Sequence, residues 1–179
     1  MTKFRGFIAI DIASLPKLIE FENKIKDIGA NVKLVEPKNV HITLKFLGDI
    51  EEEKIDEVEE IMKTATEGMG SFDIKLKGTG AFPNQNYMKV IWIGIEGGEQ
   101  ISVIADKIDE DLSKIGFERE KRKFSAHLTI GRVRSAKNKD QLIQIIEKYK
   151  EFEFADMKVD SIKLNKTIKD AELFLRKYE

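Results

Sequence analysis

The chain contains no cysteine. That single absence excludes disulfide scaffolds, zinc–thiolate sites and thiol nucleophiles. Proline is scarce, at 3 of 179 residues, and no apolar stretch runs beyond a few residues, too short for a membrane-spanning helix. Neither sign of charge is in excess: 31 Lys and Arg face 32 Asp and Glu, a formal net charge of −1. So balanced a chain has no global attraction for nucleic acid, and any such binding must come from a local patch. Residues 1–13, MTKFRGFIAIDIA, lack a secretory core and a small-residue cleavage site and read as a first strand. A soluble, cytoplasmic protein with no membrane partner is expected. Histidine is nearly absent too. There are two, His41 and His127.

What is present is a patterned, 41% hydrophobic chain, long enough for one core shared by two small lobes. Phe4 to Ile10 is β-rich. Ser14 offers an N-cap, Pro16 sits in the first turn that follows, and Leu18, Ile19, Ile25 and Ile28 stripe a helix to Gly29. Val32 to Val35 and Val40 to Leu47 read as strands. Ile55, Val58, Ile61 and Met62 mark a second helix, opened by acids at its positive end. Phe72 to Lys77 and Met88 to Ile95 read as strands, with Gly78-Thr79-Gly80 a turn and Trp92 core. A third helix carries Ile101, Ile104, Ala105, Ile108 and Leu112, and a fourth spans Asp140 to Tyr149. Phe124 to Val133, Phe152 to Leu164 and Glu172 to Tyr178 are the remaining strands.

The second half echoes the first. His41-Ile42-Thr43-Leu44 and His127-Leu128-Thr129-Ile130 lie 86 residues apart, about half the chain, each on a strand framed by helices. The repeat predicts an α+β protein of two lobes related by a pseudo-twofold axis, about 1–96 and 97–179, with exchange of strands between them left open. Strand side chains alternate faces. His41, Thr43 and Lys45 therefore share one face, and Val40, Ile42, Leu44 and Phe46 the other. Ser125, His127 and Thr129 share a face in the second copy. Brought together, the two strands place two imidazoles and two hydroxyls around one site.

Such a set suits phosphodiester chemistry. One base activates the attacking oxygen, one acid protonates the leaving oxygen, and histidine serves as either near neutral pH. Threonine hydroxyls donate to the non-bridging oxygens. One His on a strand is ordinarily structural, but here both His of the chain fall in the same pattern. A metal site would need further ligands close by, and Asp49 and Glu36 are not at a ligand spacing. No cofactor and no metal are expected.

Two HxTx motifs half a chain apart resemble the two-histidine phosphoesterase superfamily. The surrounding residues, among them Asn39 to Gly48, Gly78 to Pro83, Val90 to Gly94 and Ala126 to Arg132, resemble its RNA 2′,3′-cyclic phosphodiesterases, also called 2′-5′ RNA ligases. The resemblance implies a bilobal fold with antiparallel sheets lining a central cleft and helices outside, with His41 as proton donor and His127 as proton acceptor. The residues themselves support the pair without assigning the roles. It implies an RNA ending in a 2′,3′-cyclic phosphate as partner, a 2′-phosphomonoester product and a possible reverse ligation. A monomer is expected. A small cyclic phosphate as substrate, and a non-catalytic RNA-binding module, are the rival readings.

Other residues are candidates for substrate contacts. Arg119, Lys121, Arg122, Lys123, Arg132 and Arg134 face one acid, Glu120, between residues 119 and 134, a local net charge of +5. Arg122 and Lys123 would hold an RNA backbone. Arg132 is a phosphate contact by resemblance, although strict alternation turns it away from His127 unless Gly131 carries a bulge. Lys45 would line the His face. Phe46 belongs to the core or, at the rim, stacks on a base. Tyr87 and Lys89 reach the cleft edge in this arrangement.

Overall fold

The computed structural model describes residues 2–13, 15–168 and 171–178, so Ser14 with its expected cap lies outside the described residues. The order is β1 (Lys3–Asp11), α1 (Pro16–Asp27), β2 (Val32–Leu34), β3 (His41–Glu51), α2 (Ile55–Thr66), β4 (Phe72–Pro83), β5 (Met88–Glu96), α3 (Glu99–Ser113), β6 (His127–Val133), α4 (Lys139–Lys148), β7 (Glu153–Val159), β8 (Ile162–Ile168) and β9 (Ala171–Tyr178). None of the helices is long and apolar enough to cross a membrane among the described residues.

The helices form where the apolar spacing asks for them. Leu18, Phe21 and Ile25 bury one stripe of α1, Val58, Met62 and Ala65 that of α2, and Ile101, Ile104, Ile108 and Leu112 that of α3. Glu22 falls on the buried face of α1, 3% exposed. Burial pushes its carboxyl up from 4.5 to about 7, and Lys26 pulls only partly against this. Below pH 4.5 the carboxyl is neutral whether the chain is folded or not. As pH rises toward 7 the unfolded chain ionises first, so stability is lost, and above 7 a buried charge must be held. Glu22→Gln is therefore expected to match the wild type at about pH 4 and to exceed it by about 2 kcal/mol at about pH 8, read by denaturant titration. Equal stabilities at both pH values would contradict this.

Two antiparallel sheets result, ordered β3-β1-β8-β9 and β2-β6-β5-β4-β7. The two sequence halves, 1–96 and 97–179, exchange strands. β4 and β5 join β6 from the second half, while β8 and β9 return to β1. The pseudo-symmetry lies in the pairing: β6-β5-β4-β7 repeats β3-β1-β8-β9, with β2 added outside β6. Most boundaries differ from the sequence reading by a few residues, β3 and β4 run on to Glu51 and Pro83, and three further differences change the topology or the site. The expected strand 152–164 breaks at residues 160–161 into β7 and β8. Strand β6 starts at His127 rather than at Phe124. Gly78-Thr79-Gly80 is no turn but a bulged stretch inside β4, with Gly78 at φ +80° and the buried Thr79 hydroxyl donating to the Ile146 carbonyl at 2.7 Å.

Candidate active site

Ile42, Leu44, Leu128 and Ile130 are buried in the common core under the helices. The alternate positions, His41, Thr43, His127 and Thr129, are half-buried on the opposite faces. Strands β3 and β6 lie against each other where the two sheets meet.

Each imidazole is held in the same way. His41 Nδ1 lies 2.8 Å from the Asn39 carbonyl oxygen, and His127 Nδ1 lies 2.9 Å from that of Ser125, both two residues upstream. A carbonyl only accepts, so Nδ1 carries the hydrogen and Nε2 is the nitrogen left to exchange protons. Each ring also meets a phenyl. Phe7 stacks on His41 at 4.8 Å, and Phe82 meets His127 edge-on at 5.1 Å. Neither phenyl was singled out by sequence reasoning. Phe7 is legible in hindsight, because it shares strand parity with Ala9 and Asp11 and pairs with Phe46 across to β3.

Both motifs carry a bulge at the same place. On β3, Ala9 pairs with Thr43 and Ile8 with Lys45, leaving Leu44 extra. On β6, Trp92 pairs with Thr129 and Ile91 with Gly131, leaving Ile130 extra. Each bulge reverses the alternation. Residues five beyond each His, Phe46 and Arg132, thus turn back to the His face, and both are exposed, Phe46 by 66%. The expected core position for Phe46 is corrected accordingly, and the bulge that Gly131 made possible for Arg132 is present.

The same bulge corrects Lys45. It does not line the His face. Its side chain is 3% exposed, and its ammonium donates to Asp109 Oδ1 at 2.7 Å, the Glu118 carbonyl at 2.7 Å and Glu120 Oε1 at 3.2 Å. Gly131 holds the matching position in the second copy because β2 runs alongside. A Cβ there would sit 2.8 Å from Val32 Cγ1. Among the described residues strand β3 is a sheet edge with no such neighbour, so a lysine fits.

Trp92 is a further correction. It pairs with Thr129, is half-buried, and stands 5.3 Å from the Phe82 ring with its indole lying over Gly80, where a Cβ would come within 2.2 Å. The pair Asp11–Lys163, at 2.6 Å, was also missed. Asp11 is the register partner of His41. Lys89 is exposed beside Arg132 in one cleft of about 450 Å³. Arg122 lines another, of about 540 Å³, with Phe46, and Lys123 is exposed next to it. Among the described residues, no group of three or more His, Asp or Glu is placed to hold a metal ion.

Two imidazoles held alike, each with a threonine on its own strand face and one of them with Arg132, are the groups that acid–base chemistry on a phosphate ester needs. The chain belongs to the LigT-like phosphoesterase family, whose model matches residues 11–92 and 93–171. It is 42% identical over 165 residues to the RNA 2′,3′-cyclic phosphodiesterase of Methanocaldococcus jannaschii, covering 91% of each chain. It is 35% identical over 167 residues to that of Methanothermobacter thermautotrophicus, covering 92% of this chain and 90% of the relative. The fold is similar to that of the Thermus thermophilus protein TT0787, with a TM-score of 0.78 at 22% identity over 97% of this chain and 96% of that one.

Proposed function

We propose that this protein opens the 2′,3′-cyclic phosphodiester at the end of an RNA chain to a 2′-phosphomonoester. The observation that carries the reading is the paired lock on the two imidazoles, Nδ1 to the carbonyl two residues upstream in both copies. His127 Nε2 takes a proton from water as the water oxygen bonds to phosphorus. The bond from phosphorus to O3′ breaks, and His41, protonated at Nε2, supplies the proton that O3′ needs. The phosphate stays on O2′. Thr43, Thr129 and Arg132 donate to the non-bridging oxygens, whose charge persists throughout. If a 5′-hydroxyl replaces water, the same bond changes yield a 2′-5′ linkage. The assignment of donor and acceptor follows the family resemblance.

Phe46 offers a stacking face to a base, and Arg122, Lys123 and Lys89 offer charge to the RNA backbone. Both motifs come from one chain, which supports a monomer as the working unit, acting in the cytoplasm. The test is incubation of the EDTA-treated protein with an RNA ending in a 2′,3′-cyclic phosphate. Conversion to the 2′-phosphate isomer is expected. Turnover restricted to small cyclic nucleotides, or release of the 3′-phosphate isomer, would contradict the reading.

A further inference from the structure

Beyond Arg132 the site continues into the cleft of about 450 Å³, whose lining includes Tyr87, Lys89, Arg132, Arg134 and Lys139 and no acidic residue. Four cations thus share one concavity, and none of them is joined to a carboxylate among the described residues. The Lys139 ammonium is held by the Asn86 carbonyl oxygen, and the Lys89 ammonium lies 5.3 Å from the centre of the Tyr87 ring. Tyr87 is 62% exposed, so its ring is accessible for a base to stack on. The other cleft is different. Its lining mixes Arg119, Lys121 and Arg122 with Glu118 and Glu120, and Arg119 is already bound to Asp109 at 3.2 Å.

Arg132 belongs to both places. The bulge at Ile130 turns it to the His127 face, and its register partner Val90 lies beside Phe82, whose ring touches His127. A phosphate held between the two imidazoles is therefore one guanidinium away from a cationic cleft with an aromatic in its wall. That is the composition that binds a phosphodiester and the base attached to it.

We propose that this cleft is a subsite for the penultimate nucleotide of the RNA, with Arg134 and Lys139 holding the phosphodiester that joins it to the terminal nucleotide and Tyr87 stacking on its base. The subsite rests on the phosphodiesterase reading and makes the enzyme selective for chain length. A mononucleotide fills only the catalytic groove, whereas a dinucleotide reaches the cleft as well.

The experiment compares kcat/KM for a 2′,3′-cyclic mononucleotide and for di- and tetranucleotides ending in the same cyclic phosphate. The dinucleotide is expected to be favoured by at least about tenfold, the scale of one stacked base. Arg134→Gln and, separately, Tyr87→Ala should each remove most of that preference, with the loss falling on the dinucleotide rather than the mononucleotide. Equal rates for mono- and dinucleotide overturn the proposal, as does an equal loss on both substrates in either variant. Loss of the preference on changing Arg122 and Lys123 to Gln, with Arg134→Gln unaffected, places the RNA on the opposite side and overturns it as well. No turnover on any cyclic phosphate defeats the phosphodiesterase reading itself, whereas turnover without length preference defeats only the subsite.

Discussion

Replacing either His41 or His127 by Ala is expected to lower turnover by roughly 10²–10⁴, the range for a positioned acid or base. In the proposed reaction the two groups act in one transition state. The double variant should therefore lose much less than the product of the single losses, since once one proton transfer is gone the other group has little left to assist. The wild-type rate should trace a bell against pH, because one imidazole must be neutral and the other charged at the same moment. Each single variant should lose one limb of that bell. Thr43→Val and Thr129→Val keep the shape of the side chain and remove a donor to the phosphate, so each should slow the reaction by less than loss of a His. Steady-state kinetics across pH reads all of these. Near-normal turnover in either His→Ala variant would contradict the assignment.

The second large effect concerns the fold. Asp109→Ala is expected to destabilise the protein by about 3 kcal/mol, a fall in Tm on the order of 10 °C for a chain of this size. Asp109 sits on α3 and is 12% exposed, and it receives the buried Lys45 ammonium, the Arg119 guanidinium at 3.2 Å and the Glu120 backbone N–H at 3.1 Å. Burial pushes its carboxyl up, but these donors outweigh burial and hold it below the usual value. A depressed carboxyl adds stability above its unfolded pKa, and that stability is lost as pH falls through the folded pKa. The gap between wild type and Asp109→Ala should therefore narrow in acid. Removing Asp109 leaves the buried ammonium with only the Glu118 carbonyl and the more exposed Glu120 carboxylate, whereas Lys45→Met combined with Asp109→Leu removes both buried charges and should recover most of the stability. It should also keep turnover, since Lys45 anchors β3 to α3 and to the loop before β6 rather than touching substrate. An Asp109→Ala variant that melts with the wild type would show that Lys45 does not depend on this partner.

How far the sequence could be read is clearest along these two strands. Alternation places His41 beside Thr43 and His127 beside Thr129 correctly, because nothing interrupts the pleat between them. It fails three residues after each His, and for one reason. A bulge belongs to the pairing of two strands, and the partners Ile8 and Ile91 lie far away in the chain. Gly131 is a local sign of its bulge, whereas Lys45 is none, so strict alternation leaves Arg132 open and puts Lys45 and Phe46 on the wrong faces. The helices were more legible, since a stripe such as Ile101, Ile104, Ile108 and Leu112 is a property of one segment. The return of β8 and β9 to β1 had no local sign, and with it Asn165 and Lys163 came to line the His41 sheet beside Phe7 and Ala9. Phe82 stayed hidden because its role depends on β4 pairing with β5 as far as Pro83, past the apparent end of the strand.

The scarcity of histidine provides the most direct test of the central claim, that both imidazoles serve one phosphate. With ¹⁵N-labelled histidine the protein gives the signals of two rings, His41 and His127. Titration with a nucleoside 2′-monophosphate, the form of the product, should shift Nε2 of both rings along one binding curve with a single midpoint, while both Nδ1 signals keep the character of a protonated nitrogen. A shift confined to one ring, or two rings responding with different midpoints, would contradict a shared site.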